Sequence, residues 1–244
     1  MDYAFFTMPL HPLERNYTET LREDRAVIVL ADELGFAEAY VGEHATDRAE
    51  TVTSSRVFLA SLRDATTRIR LGTGTVNLPN NHPVQVAAEI AMLDHLLEGR
   101  FLFGISPGGL ASDAEAFANR DADRPAMFQE AIDHILALWT EAPPFDRKGK
   151  YWTISTRATH MPEIGMGEMV RPFQLPHPPI VVTVVAPHSA SATNAGKRGW
   201  LPISANFLQP VWVASHWPLY ASGRAAAGAM AKPADWRAPC HSVF

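Results

Sequence analysis

The 244-residue chain has a single cysteine, Cys240, so it cannot close a disulfide within itself. It has no CxxC and no HExxH pair, and its ten histidines are scattered, which argues against a structural zinc centre or a zincin-type site. Basic residues are not in excess. With 21 Lys and Arg against 26 Asp and Glu, the formal charge is −5, which gives no electrostatic reason to expect nucleic acid or an anionic membrane as a partner. No apolar run is long enough to span a bilayer. The opening Met-Asp-Tyr-Ala-Phe-Phe has no basic stretch before an apolar one, so no signal peptide is expected. These absences lead to the expectation of a soluble cytoplasmic protein. The 47% hydrophobic content is enough to bury a core.

What is present is an alternation. Short apolar or β-branched runs at 4–9, 38–43, 69–76, 100–106, 180–185 and 201–206 read as parallel strands. Between them lie helical stripes: Val27, Leu30, Ala31 and Leu34; then Val86, Ile90, Leu93 and Leu97; then Phe128, Ile132, Ile135 and Trp139. Gly35 and Gly99 stand where helix ends need them, and Pro83 where a helix begins. Strand–helix alternation defines an α/β domain, laid out either as an open doubly wound sheet or as a closed barrel. One domain over 1–244 is expected. The irregular stretch 143–179 reads as a long βα insertion near a site or as a surface loop, with a short excursion strand at Lys150–Ile154.

Several strand ends carry chemistry. Gly72-Thr73-Gly74-Thr75-Val76-Asn77 lacks the third glycine of a dinucleotide fingerprint, and the next helix is delayed to Pro83. It reads either as a plain strand end or as a surface that lets backbone approach a flat ligand. Gly104-Ile105-Ser106-Pro107-Gly108 has the form of a hydrolase nucleophile elbow, but Pro107 has no N–H to offer an oxyanion. Glu43 and His44 end the second strand. Alternation sends them to opposite sides, and His44 is either a core or capping residue or a proton handler. His188-Ser189-Ala190-Ser191 opens a helix, by simple capping or as a phosphate seat. Taken together, these ends suit a phosphorylated flat cofactor at the mouth of a barrel.

At these same residues the chain resembles the bacterial-luciferase-like, flavin-dependent monooxygenases. The match is carried by Gly35-Phe36, Val41-Gly42-Glu43-His44, Leu71 to Val76, His82-Pro83-Val84, Leu93-Asp94 and Gly99 to Gly104, in that order, from about Phe5 to Trp217. Pro107-Gly108-Gly109-Leu110 and Leu201 to Asn206 resemble the limonene-monooxygenase-like branch. The resemblance implies a TIM-type (β/α)8 barrel. It implies reduced FMN and molecular oxygen forming a C4a-hydroperoxyflavin that oxygenates an apolar small molecule, with NAD(P)H acting through a separate flavin reductase. It implies His44 as the catalytic residue near the flavin and Gly74, Thr75 and Ser106 beside the ring, often with a non-prolyl cis peptide at the strand end. His188, Ser189 and Ser191 would hold the phosphate, and Ala205 and Asn206 the cofactor edge. An F420-dependent oxidoreductase on the same fold and an inactive flavin-binding remnant stand as alternatives. A barrel of this type has eight strands, whereas six are read here, with 236–244 as the altered start of a seventh. The expectation is a C-terminally truncated barrel that is impaired, aggregation-prone or reliant on homo-oligomerisation.

Overall fold

The computed structural model describes residues 2–239, which divide after Pro178 into two compact units. The first unit holds, in chain order, β1 (Ala4–Thr7), α1 (Tyr17–Glu33), β2 (Glu38–Val41), α2 (Ser55–Ala60), β3 (Arg70–Thr73), β4 (Val76–Asn77) and α3 (Pro83–Leu96). It continues with β5 (Phe101–Ser106), α4 (Ala111–Ala116), α5 (Arg124–Thr140) and a hairpin of β6 (Asp146–Lys148) and β7 (Thr153–Ser155). Strands β1, β2, β3 and β5 lie side by side in that order, all parallel. Their C-terminal ends therefore share one edge. β2 and β5 are buried along their whole length, as expected of parallel strands covered on both faces.

The third expected strand is not continuous. It stops at Thr73, passes a cis peptide at Gly74–Thr75 and resumes as β4, with Val76 opposite Ile105 and Asn77 opposite Ser106. Where the ladder is interrupted, the Thr73 side chain replaces it. Its hydroxyl donates to the Gly104 carbonyl at 2.7 Å and accepts from the Gly104 N–H at 2.9 Å. Gly104 is required at this crossing, because a Cβ there would lie 1.7 Å from the Thr73 carbonyl oxygen.

The helical stripes fare differently. Val86, Ile90, Leu93 and Leu97 are all buried, as are Ile132, Ile135 and Trp139, while Phe128 at the start of its stripe is half-buried. In α1, however, Val27, Leu30 and Leu34 are exposed, and the inward face is made by Thr20, Ile28, Ala31 and Asp32. A polar residue was the anchor there: the Asp32 carboxylate accepts from the backbone N–H groups of Thr67, Arg68 and Ile69 and so fixes the turn into β3.

The stretch 143–179 follows α5 and precedes the strand at 180, so of its two readings it is not a βα insertion but an αβ connection. Two carboxylates tie it down. Glu130 accepts from the N–H groups of Lys150, Tyr151 and Trp152. Buried Asp94 holds Gln174 through its backbone and side-chain amides at 2.7 Å each, and the same Gln174 amide donates to the Phe101 carbonyl. Phe101 begins β5, so this anchor is at the opposite end of the strand from Ser106. The excursion strand at Lys150–Ile154 is instead the turn and second strand of the β6–β7 hairpin.

The second unit contains β8 (Ile180–Val184), α6 (Ala190–Arg198), β9 (Leu201–Ser204), α7 (Pro210–Ala214) and α8 (His216–Ala226). β8 and β9 are parallel, and Arg237 pairs in parallel with Ile203 on the other side of β9. That pairing is where a further strand was expected to begin; 240–244, including Cys240, lie outside the described residues. Helices α6 and α8 meet at backbone distance through glycines. A Cβ on Gly196 would lie 2.3 Å from the Tyr220 carbonyl oxygen, and one on Gly223 would lie 2.1 Å from that of Thr193. Among the described residues, no helix is long and apolar enough to cross a membrane.

Candidate functional site

In the first unit, the chemistry collects at the edge where the parallel strands end. β2 runs into Glu43 and His44, which diverge as the alternation requires. Glu43 is buried and accepts from the Ser55 N–H and hydroxyl, at 2.8 and 2.7 Å, at the start of α2. It is a structural residue.

His44 turns the other way. Its Nδ1 lies 3.1 Å from Asp113 Oδ2 on α4, and its Nε2 lies 3.6 Å from Glu50 Oε2. Asp113 also accepts from the Thr46 N–H at 2.9 Å, the Thr46 hydroxyl at 2.6 Å and the Ala45 N–H. Burial pulls the Asp113 carboxyl upward, but the hydrogen bonds from Thr46, His44 and Ala45 outweigh it and hold the group below the usual carboxylate range. A fixed carboxylate at Nδ1 orients the imidazole and assigns that nitrogen its proton. Asp113 and Glu50 were missed in the sequence. Asp113 is 69 residues from His44 in the chain, and no local pattern marks it.

Where β4 and β5 pair, the hydroxyls of Thr75 and Ser106 meet. Thr75 donates to Ser106 Oγ at 2.6 Å, Ser106 donates to Asn77 Oδ1 at 2.8 Å, and the Gly108 N–H donates to Ser106 Oγ. All three side chains are buried. This network removes the nucleophile-elbow reading. Ser106 gives its proton to an amide oxygen, has no histidine partner among the described residues, and is followed by the loop 107–110 instead of an immediate helix. Arg124 braces that loop by donating to the Pro107 carbonyl at 2.6 Å and to Asn119. Gly74 stands where added bulk would press on Phe6 and Tyr40, at 3.1–3.3 Å from an added Cβ.

The second unit has its own cluster. Ser189 caps α6, accepting from the Ser191 N–H at 3.2 Å. His188 is exposed, with φ of 51°, and donates its N–H to the Ser215 hydroxyl. Ser191 and Asn206 are exposed, and the Ala205 N–H donates to the Val184 carbonyl, joining the ends of β8 and β9. Beneath them lies a histidine the sequence reading passed over. His216 is fully buried, with Nε2 2.9 Å from the Ala186 carbonyl and Nδ1 2.8 Å from Ser204 Oγ, which also accepts from Trp236 Nε1. A carbonyl can only accept, so Nε2 carries the proton and Nδ1 accepts from Ser204. His216 thus pins the loop that carries His188 to the end of β9.

Parallel strands covered by helices, ending on a buried hydroxyl network and an acid-held histidine, define an α/β protein with a candidate site at the strand C-termini. The family model for luciferase-like monooxygenases matches residues 1–241, and the chain belongs to that family. It is 32% identical over 241 residues to limonene 1,2-monooxygenase of Rhodococcus erythropolis, covering 97% of this chain and 59% of that protein. The oxygenating constituent of 3,6-diketocamphane monooxygenase from Pseudomonas putida, a type II Baeyer–Villiger enzyme solved in complex with FMN, superposes with a TM-score of 0.89. Its sequence identity is 24%, and the match covers 98% of this chain and 66% of that one. An F420-dependent secondary alcohol dehydrogenase superposes with a TM-score of 0.74 at 18% identity, covering 97% of this chain and 67% of that one. These structural likenesses establish the TIM-barrel type of fold. The chain spans about three fifths of the length of its limonene-oxidising relative.

Proposed function

We propose that this chain provides the flavin-handling part of an FMN-dependent monooxygenase that takes reduced FMN and O2 and oxygenates an apolar small molecule. Reduced FMN would be delivered by a separate reductase drawing on NAD(P)H. The observation that supports this most is that His44, held by Asp113, and the hydroxyl-bonded Thr75 and Ser106 all lie at the C-terminal ends of neighbouring parallel strands. The residues fit the group. Gly74, Thr75 and Ser106 are small and uncharged, as a flat ring requires, and the hydroxyl network leaves no buried donor of that trio without an acceptor. In the second unit, taken by itself, the Ser189 and Ser191 hydroxyls and the adjoining His188 at the start of α6 suit a phosphate, and Ala205 and Asn206 suit the cofactor edge.

Bound reduced FMN would supply the activation of oxygen. The chain's own residues orient the ring, keep bulk and water from it, and hold or release a proton at His44. The F420 reading has likeness of fold alone in its support.

The test is an anaerobic thermal melt with and without reduced FMN, followed by O2 uptake with a panel of apolar alkenes and ketones. A ligand at about 100 times its Kd adds roughly 2.7 kcal/mol to the folded state. A raised midpoint and substrate-dependent O2 uptake are expected. A midpoint moved by F420 and not by FMN, with no O2 consumed, would replace this reading with the deazaflavin one.

A further inference from the structure

His44 has an acid at each ring nitrogen, and the two acids are not equivalent. Asp113 is saturated with donors and fixed as an anion. Glu50 Oε2, on the Nε2 side, is buried and has no hydrogen-bond partner, so nothing competes with His44 for it at 3.6 Å. Burial pushes the Glu50 carboxyl above its ordinary range; His44 pulls it down, and Asp47 and Asp113 push it up again. An acid that binds its proton more readily than usual, facing an imidazole across a short gap, is placed for proton exchange.

Glu50 also forms part of the wall of a cavity of about 440 Å³, shared with His11, Arg15, Asp47, Arg48 and Thr51. Arg15 and Arg48 are exposed, so solvent reaches this space. Asp47 accepts from the backbone N–H groups of Ala49 and Glu50, and the remaining charged groups have partners of their own. His11 holds Asp24, which also accepts from Thr51, while Arg15 pairs with Glu23 and Arg48 donates to the Leu13 carbonyl.

We infer that Glu50 is the proton relay of His44, linking its Nε2 to the solvent of this cavity. When His44 is doubly protonated, the N–H bond at Nε2 breaks as an O–H bond forms at Glu50 Oε2; the neutral carboxyl, whose side chain is partly exposed, turns to bring that O–H to water, which takes the proton, and the reverse route returns it. No electrons move. Glu50 is thus a positioning residue that acts through His44. The inference rests on His44 as the proton-handling group of the proposed function.

The first measurement is a carbon-13 NMR titration of the Glu50 carboxyl in the cofactor-free chain. Its midpoint is expected above the ordinary carboxylate range. It should rise by about one further pH unit, a tenfold change, in His44→Gln, and fall in Asp47→Asn, a milder variant near the surface. A midpoint in the ordinary range that ignores both variants overturns the inference. The second measurement is FMN-dependent O2 uptake against pH in Glu50→Gln. Loss of one limb of the kcat profile with KM for FMN unchanged supports the relay; an equal fall at every pH, matched by a lowered Tm, overturns it. If the titration behaves as expected but reduced FMN does not bind, the flavin reading fails and the His44–Glu50 exchange stands.

Discussion

Asp113 offers two oxygens and receives donors from three consecutive residues of another loop, His44, Ala45 and Thr46. Substituting Asp113→Asn keeps its size but removes the charge and turns one acceptor into a donor. Buried donors left without an acceptor cost about 1–3 kcal/mol. Loss of the fixed tautomer at His44 is expected to lower FMN-dependent turnover by roughly a hundredfold, the scale of one general acid–base group. Urea denaturation and steady-state kinetics on the same variant would check both; unchanged turnover would show that His44 does not need its partner. His44 itself was legible in the sequence because it ends a strand, where a barrel's site lies; by residue type alone it read equally as a core or capping histidine. Its acid did not, because α4 meets the β2 loop only after β5 has paired with β3.

Glycine decides the contact between α6 and α8, and a substitution there has a predictable sign. Inside a helix, Gly→Ala normally stabilises by up to about 1 kcal/mol. At Gly196 the added methyl would come within 2.3 Å of the Tyr220 backbone oxygen. Overpacking of that kind costs about 1–3 kcal/mol, so the clash outweighs the propensity gain and Gly196→Ala is expected to destabilise. Hydrogen exchange would show it as lost protection in α6 and α8. The interruption of β3 at Gly74 shows where reading a sequence by period fails. The apolar run from 69 to 76 has the composition of one strand, but the Thr73 hydroxyl completes the Gly104 hydrogen bonds and lets the chain break off early. The exposed apolar side chains of α1 failed for a related reason: the helix is held by a charge, Asp32, that a hydrophobic stripe does not register.

Among the carboxylates that accept from backbone N–H groups are Asp32 for 67–69, Asp113 for 45–46 and Glu130 for 150–152. In each, burial acts upward, but hydrogen bonding outweighs it and leaves the group below its ordinary range. The sign follows. Groups depressed in the folded state contribute stability that is complete above their unfolded values, near pH 4, and is lost as pH falls through the folded ones. Glu50 acts in the opposite sense, since its raised carboxyl favours the folded state as it takes up its proton. Urea midpoints at pH 7, 4 and 3 are expected to fall steeply below 4, and Asp32→Asn to flatten that acid limb. An acid limb unchanged in Asp32→Asn would show that its carboxylate charge adds nothing to the fold.

The sequence by itself determined the α/β class, the approximate place of every parallel strand, the buried faces of α3 and α5, and His44, Gly74, Thr75 and Ser106 as the strand-end residues of interest. These are local properties: period, turn chemistry and the position of a residue relative to a strand end. Tertiary structure alone decided which acids flank His44, that Ser106 gives its proton to Asn77, that 143–178 is anchored at the far end of β5, and that His216 braces the loop bearing His188. Each of these depends on groups distant in the chain that meet only after the strands have paired, and a hydrogen bond between such groups leaves no periodic trace in the sequence.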